Sequence, residues 1–223
     1  MSASFLKNGQ IIAFSGIDGA GKSTQINLLI ERLKKAGKRP VYLWARVGYS
    51  PPFNALKDFL RFILGKKFLP PGRNEKREKI ISKSWVRNLW MTIALFELIL
   101  VYCIYVRVLR IFGKTVIIDR YLWDTWIDIQ LNFPLIKIDQ WCLWKILKKL
   151  TPKPDVAFLL MIPVEESLRR SVIKKEPFPD SKDILQTRLF LYKKLSTLHD
   201  WNILNCLQPI EVIQKEIKKH IRI

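Results

Sequence analysis

Five short runs along the chain are apolar in their interiors: residues 11–15 (IIAFS), 41–44 (VYLW), 115–119 (TVIID), 156–162 (VAFLLMI) and 201–206 (WNILNC). Runs of this length, bounded by turn residues, read as buried strands. Between them the apolar period changes to that of a helix. Ile26, Leu29, Ile30 and Leu33 line one side, with Glu31, Arg32, Lys34 and Lys35 on the other. Phe53, Leu56, Leu60, Ile63 and Leu64 repeat the spacing, as do Ile138, Trp141, Leu143, Trp144 and Leu147 within 136–150. Ile184, Leu185, Leu189, Tyr192 and Leu195 do so within 181–199, and Ile210, Ile213, Ile217 and Ile221 within 209–221. Pro163 opens a further helix at its first turn. Strands alternating with helices predict an α/β fold, a five-stranded parallel sheet with helices on both faces.

Residues 89–106 (LWMTIALFELILVYCIYV) are the most apolar stretch, with Glu97 the single charge. The stretch is barely long enough to span a bilayer. A carboxylate near the middle of a span is costly in lipid. The pattern predicts a helix that is internal or lies at a dimer interface, with peripheral membrane contact as the alternative.

Charge narrows the partners. The 223 residues carry 39 Lys+Arg against 19 Asp+Glu, a net charge of +20. Such an excess implies an anionic partner: a nucleotide, a nucleic acid or an anionic membrane surface. No aromatic-basic reading motif points to specific nucleic-acid recognition. Cys103, Cys142 and Cys206 are far apart in apolar surroundings, and with two histidines they make no zinc pattern. Unpaired core thiols and an N-terminus without a signal-peptide pattern predict a cytoplasmic location.

The chemistry is concentrated just after the first strand. Gly16-Ile17-Asp18-Gly19-Ala20-Gly21-Lys22-Ser23-Thr24 fits G-x-x-x-x-G-K-[ST], preceded by a strand and followed by a helix. That context is the one in which glycine-loop N–H groups cradle a phosphate, with the helix N-terminus aimed at the same point. Lys22 would meet the β- and γ-phosphates of ATP, and Ser23 would offer its hydroxyl to Mg²⁺. This predicts a P-loop NTPase fold. Arg46 lies in the loop after the second strand, where ligand crevices form in open α/β sheets. Asp119 closes the third strand beside the P-loop and suits a Mg²⁺-water ligand. A helix carrying Arg169, Arg170, Lys174 and Lys175 runs into Glu176-Pro177-Phe178-Pro179-Asp180, which predicts a short lid over the phosphates at about 170–182.

These motifs together resemble the thymidylate kinase family of nucleoside-monophosphate kinases. FSGIDGAGKSTQ resembles that family's P-loop, and VIIDRY its D-R-[YH] motif. PDVAFLLMIPVEESLRR resembles the element before the lid, and Tyr192-Lys193-Lys194-Leu195 the Y-x-x-L after it. The resemblance runs in order along nearly the whole chain and implies a single kinase domain moving the ATP γ-phosphoryl to a nucleoside monophosphate, dTMP in that family. It implies that Lys22 and the loop backbone hold the ATP phosphates and that Asp18 lies near the acceptor sugar. Arg46 and Arg120 would clamp the acceptor phosphate and the transferring phosphoryl, while Arg170 closes over ATP. It also implies a homodimer.

Three departures fall on the acceptor side. R-E-P-G-G is replaced by Arg46-Val47-Gly48-Tyr49, and S-x-x-A-Y-Q by Asp124-Thr125-Trp126-Ile127-Asp128-Ile129-Gln130. The family's thymine-reading arginine, counted back from Asp119, falls on Leu98. The reading therefore carries an alternative: a kinase of the same fold for a sugar, glycolipid or polyprenyl-type acceptor. A membrane-surface ATP-binding adaptor is the third.

Overall fold

The computed structural model describes residues 9–44, 83–175 and 179–221. Arg46, the expected helix over 53–64 and the centre of the expected lid loop (176–178) lie outside the described residues. The elements in order are β1 (Ile11–Gly16), α1 (Lys22–Lys35), β2 (Pro40–Trp44), α2 (Ser84–Leu98), a π-helical stretch (Ile99–Tyr105) and α3 (Val106–Ile111). Then follow β3 (Thr115–Asp119), α4 (Leu122–Asn132), α5 (Cys142–Leu150), β4 (Val156–Met161), α6 (Val164–Ile173), α7 (Lys182–Ser196), β5 (Asn202–Asn205) and α8 (Ile210–His220).

The strands form one five-stranded sheet in the order β2-β3-β1-β4-β5, every pairing parallel. β1 is central, and its residues alternate between two cores as a strand's period demands. Ile12 and Phe14 join a cluster with Leu29, Phe158, Tyr192 and Ile217, under α1, α7 and α8. Ile11 and Ala13 join another with Met91, Leu95, Leu98, Val116, Trp144 and Leu147, under α2 and α5. Helices thus cover both faces. The register sets Phe14 beside Asp119 and Gly16 beside Leu160, so the loop leaving β1 emerges next to the end of β3.

The apolar stretch 89–106 belongs to one longer helical run from Ser84 to Ile111. Its inner face, Met91, Ala94, Leu95, Leu98, Tyr102 and Val106, is buried, whereas Leu89, Phe96, Leu100, Ile104 and Val108 are exposed. The expected internal helix is therefore internal on one side only.

The helix expected over 136–150 is shorter. Residues Ile138–Gln140 form a 3₁₀ turn, and Trp141 has extended backbone before α5 begins. Asp139 accounts for the break, since its carboxylate accepts indole N–H bonds from Trp126 (3.2 Å) and Trp144 (3.2 Å). Pro163 sits one position before its helix rather than inside the first turn.

Candidate active site

The loop between β1 and α1 needs glycine where it turns. At Gly16 (φ 144°) a Cβ would stand 2.5 Å from the Leu160 carbonyl oxygen, so no other side chain fits. Gly21 (φ 86°) lies in open space, and its left-handed backbone alone calls for glycine. Ala20 is buried, while Ser23 and Thr24 are exposed on the first turn of α1, at its positive dipole end.

Lys22 folds back over the loop. Its ammonium donates to the carbonyls of Gly16 (2.9 Å) and Ile17 (2.9 Å) and is 8% exposed. Burial, reinforced by the nearby Arg120 guanidinium, lowers its pKa to about 8. A bound polyphosphate would offer that cation better acceptors than two carbonyls.

Across the loop stands Arg120. Its backbone is left-handed (φ 68°), fixed by a bond from its N–H to the Phe14 carbonyl (2.9 Å). The guanidinium is buried and pairs with Asp18 through Nη2. Burial works against its charge, but the facing carboxylates, Asp18 foremost, outweigh it and hold the group protonated. Its Nη1 is buried without a hydrogen-bond partner, and so is Oδ1 of Asp119 next door. Oδ2 of Asp119 accepts the Tyr42 hydroxyl at 3.2 Å. A buried donor and a buried acceptor left unsatisfied on consecutive residues where β3 ends fit a site built for an anion and its cation. Among the described residues no group of three His, Cys, Asp or Glu gathers.

Of the basic residues expected in the lid, Arg170 reaches the loop. Nη1 donates to the Gly19 carbonyl (3.2 Å), Nη2 to the Cys206 carbonyl (3.0 Å) and Nε to Glu166 (2.6 Å). Arg169 also pairs with Glu166 but points outward, 63% exposed. The two arginines hold the Glu166 carboxyl down at about 2, the Arg169 bonds contributing most. Ser167, on the same helix, donates to the Asp18 carbonyl (2.7 Å). A cavity of about 190 Å³ opens beside the loop, lined by Gly21, Thr24, Arg170, Cys206, Gln208 and Ile210 among others. A larger cleft of about 520 Å³ lies at the β5 edge, lined by β5 and α8 residues and away from these groups.

Two residues of the helix before β3 are committed away from any acceptor. Leu98 is 1% exposed in the core with Ile11, Val116 and Ile118, so it faces the sheet and offers a base no contact. Arg107 donates to the Leu150 carbonyl (2.7 Å) at the end of α5 and is committed there.

Sequence reasoning missed the groups beneath the site. Asp124 accepts from the hydroxyls of Ser15 (2.6 Å) and Tyr192 (2.5 Å) and from the Tyr121 N–H (2.9 Å). Arg188, 1% exposed, donates to Asp128 at 2.6 Å. The signal was present: two carboxylates four apart in LWDTWIDIQL, and Arg188 and Tyr192 four apart in α7.

Residues 105–217 match the family model described as thymidylate kinase, about half of the chain. The chain belongs to the thymidylate kinase family. It is accordingly a phosphotransferase of the nucleoside-monophosphate kinase kind. Among curated relatives it is 29% identical over 222 residues to a probable thymidylate kinase of Pyrococcus horikoshii, covering 94% of each chain. It is 27% identical over 232 residues to a probable thymidylate kinase of Thermococcus kodakarensis, covering 92% of this chain and 94% of the relative. To the thymidylate kinase of Homo sapiens it is 23% identical over 215 residues, covering 95% of this chain and 89% of that one.

Proposed function

We propose that this protein is a single-domain kinase that moves the γ-phosphoryl of ATP to a nucleoside monophosphate, with dTMP as the family's acceptor. The observation that carries the reading is the convergence of Lys22, Arg120 and Arg170 on one glycine loop, with Arg120 Nη1 and Asp119 Oδ1 unsatisfied beside it. In this reading the backbone of Gly16–Thr24 and Lys22 cradle the donor phosphates. The fork of Arg120, held by Asp18, receives the transferring group, and Arg170 lies where it can neutralise charge on ATP. Arg46 would clamp the acceptor phosphate. Ser23 and Asp119 would hold Mg²⁺, which when bound supplies charge neutralisation at the phosphates. The cavity beside Thr24 and Gln208 suits the donor's nucleoside.

One observation favours a second acceptor class. Leu98 is turned into the core and Arg107 is tied to α5, so neither serves base recognition. A sugar or polyprenyl-type acceptor is therefore the runner-up. Coupled ADP release with ATP–Mg²⁺, screened over all nucleoside monophosphates and then sugars and polyprenyl phosphates, separates the two. Turnover of no acceptor would sink both.

The exposed stripe of Leu89, Phe96, Leu100, Ile104 and Val108 is the kind of continuous apolar surface that marks an interface. We read it as the contact of a homodimer in the cytoplasm. Monomeric sedimentation together with capture on anionic vesicles would replace that reading by peripheral membrane attachment.

A further inference from the structure

The residues that touch the phosphate loop are held from below by a group that touches no ligand. Asp124 is 1% exposed, on the first turn of α4. Its carboxylate collects three donors from three segments: Ser15 Oγ, the Tyr121 backbone N–H and Tyr192 Oη, at 2.5 to 2.9 Å. Each segment leads to a residue of the site. Ser15 precedes Gly16, the first residue of the loop, and Tyr121 follows Arg120. Tyr192 Oη also lies 3.5 Å from the Gly16 carbonyl. One turn away on the same two helices Arg188 meets Asp128 at 2.6 Å, and its Nη2 lies 3.4 Å from Asp180, where the chain returns from the lid. Helices α4 and α7 are thus joined by two polar rungs, Asp124–Tyr192 and Asp128–Arg188.

We propose that Asp124 is a positioning residue for phosphoryl transfer, fastening the phosphate loop and the Arg120 turn to the helix that follows the lid. This rests on the phosphotransfer reading above. An apolar trio of similar volume would hold the elements together at least as well, since buried polar clusters are poor sources of net stability. What the carboxylate adds is geometry: three directed bonds fix where Gly16 and Arg120 stand. A displacement of about 1 Å at such a site costs on the order of 10²-fold in rate.

The test uses the full chain with Asp124→Asn, Tyr192→Phe, Ser15→Ala and Ser15→Thr. Asparagine keeps the shape, and Tyr192 can turn its hydroxyl to the Gly16 carbonyl, so Asp124→Asn is expected to fold. Tyr192→Phe removes one hydroxyl and covers the case in which Asp124→Asn does not fold. With saturating ATP–Mg²⁺ and acceptor, kcat is expected to fall at least about tenfold in Asp124→Asn and Tyr192→Phe, with KM for ATP within about threefold. Ser15→Thr is expected to retain what Ser15→Ala loses. Without any ligand, amide hydrogen exchange over 14–19 and 119–123 is expected to speed up in the variants while the exchange of α8 does not. Wild-type kcat and wild-type exchange in both main variants would overturn the proposal. So would a kcat loss that disappears once the assay is run well below each variant's Tm. If the wild type itself turns over no acceptor, the phosphotransfer reading has failed, and the ligand-free exchange decides whether Asp124 sets the loop.

Discussion

Replacing Arg120 by glycine should separate activity from stability. The residue occupies a left-handed backbone position, which costs a non-glycine side chain about 1–2 kcal/mol. Its buried, unpartnered Nη1 adds a penalty of about 1–3 kcal/mol. Arg120→Gly relieves both. Against this stands the pair with Asp18: the Arg120 side chain is 6% exposed and that of Asp18 27%, so its loss falls between the ~1 kcal/mol of an exposed pair and the about 3–5 kcal/mol of a buried one. The positive charge facing the buried Asp124 is lost as well, which offsets the gains further. Gains of about 2–5 kcal/mol thus meet losses of about 1–5 kcal/mol, so any net loss should stay within about 3 kcal/mol, or about 6–12 °C in Tm for a chain of this size. Activity has no such compensation. A preorganised donor at the transferring phosphoryl is worth about 10²–10³ in kcat, or about 2.7–4 kcal/mol. Arg120→Lys should lose nearly as much, because an ammonium lacks the planar fork that spans Asp18 and a phosphate oxygen. Coupled ADP release and scanning calorimetry on the same preparations measure both halves. An Arg120→Gly enzyme within threefold of wild-type kcat would remove Arg120 from the phosphate site. A Tm drop beyond about 15 °C would show it to be structural.

Lys22→Ala should abolish transfer and leave Tm within a few degrees; retained activity would refute the phosphate-loop assignment. The lowered Lys22 pKa means that between pH about 8 and 10.5 the unfolded chain binds a proton that the folded chain lacks. This group's contribution to ligand-free stability therefore rises with pH across that window, and ATP–Mg²⁺ binding near pH 8.5 should take up protons, seen as a buffer-dependent enthalpy in titration calorimetry. Arg188→Met removes the buried cation beside Asp128, a loss of about 3–5 kcal/mol and roughly 6–20 °C in Tm, which Arg188→Met with Asp128→Leu should largely recover. For dTMP we expect kcat/KM below about 10⁴ M⁻¹s⁻¹, under the ordinary enzyme range, and a value inside that range would restore thymine as the favoured base.

The strands and the glycine turn between β1 and α1 were legible because both are local. An apolar run between turn residues must be buried, and GIDGAGKST needs its neighbours only for the strand and helix that flank it. All five strand positions agree with the structure to within a residue or so at each end. What stayed hidden is non-local. Asp124 reads as an ordinary helix residue until Ser15 and Tyr192 are brought to it across 109 and 68 residues. The break at Trp141 depends on Asp139 meeting an indole from α4, which no helical period reveals.

The same division bears on what the enzyme phosphorylates. In the proposed donor site Lys22, Asp119 and Arg170 sit on α1, β3 and α6, and the glycine loop and Arg120 directly follow β1 and β3, strands that the central sheet fixes. Phosphate chemistry tolerates little variation there, because the loop backbone and a few cations must meet a fixed tetrahedral anion. Acceptor recognition is built differently, from side chains on helices whose outward rotation is free to change. In this chain the helix before β3 has spent its inner face on the apolar core, with Leu95, Leu98 and Tyr102 all buried. Arg107, a cation that could have turned inward, instead closes the carbonyl end of α5. A site that reads a base discriminates by leaving its own buried polar groups unpaired when the wrong base binds. The inner face of this helix offers few such groups: the buried Tyr102 hydroxyl is turned to the Arg120 carbonyl at 3.5 Å. We expect discrimination between bases to come from Arg46 and its sequence neighbours, or the acceptor to be chosen by its phosphate and its shape. The two cases differ in one measurable respect. Under the first, Arg46→Ala changes the ranking of monophosphates in the ADP-release screen; under the second, it lowers them all alike.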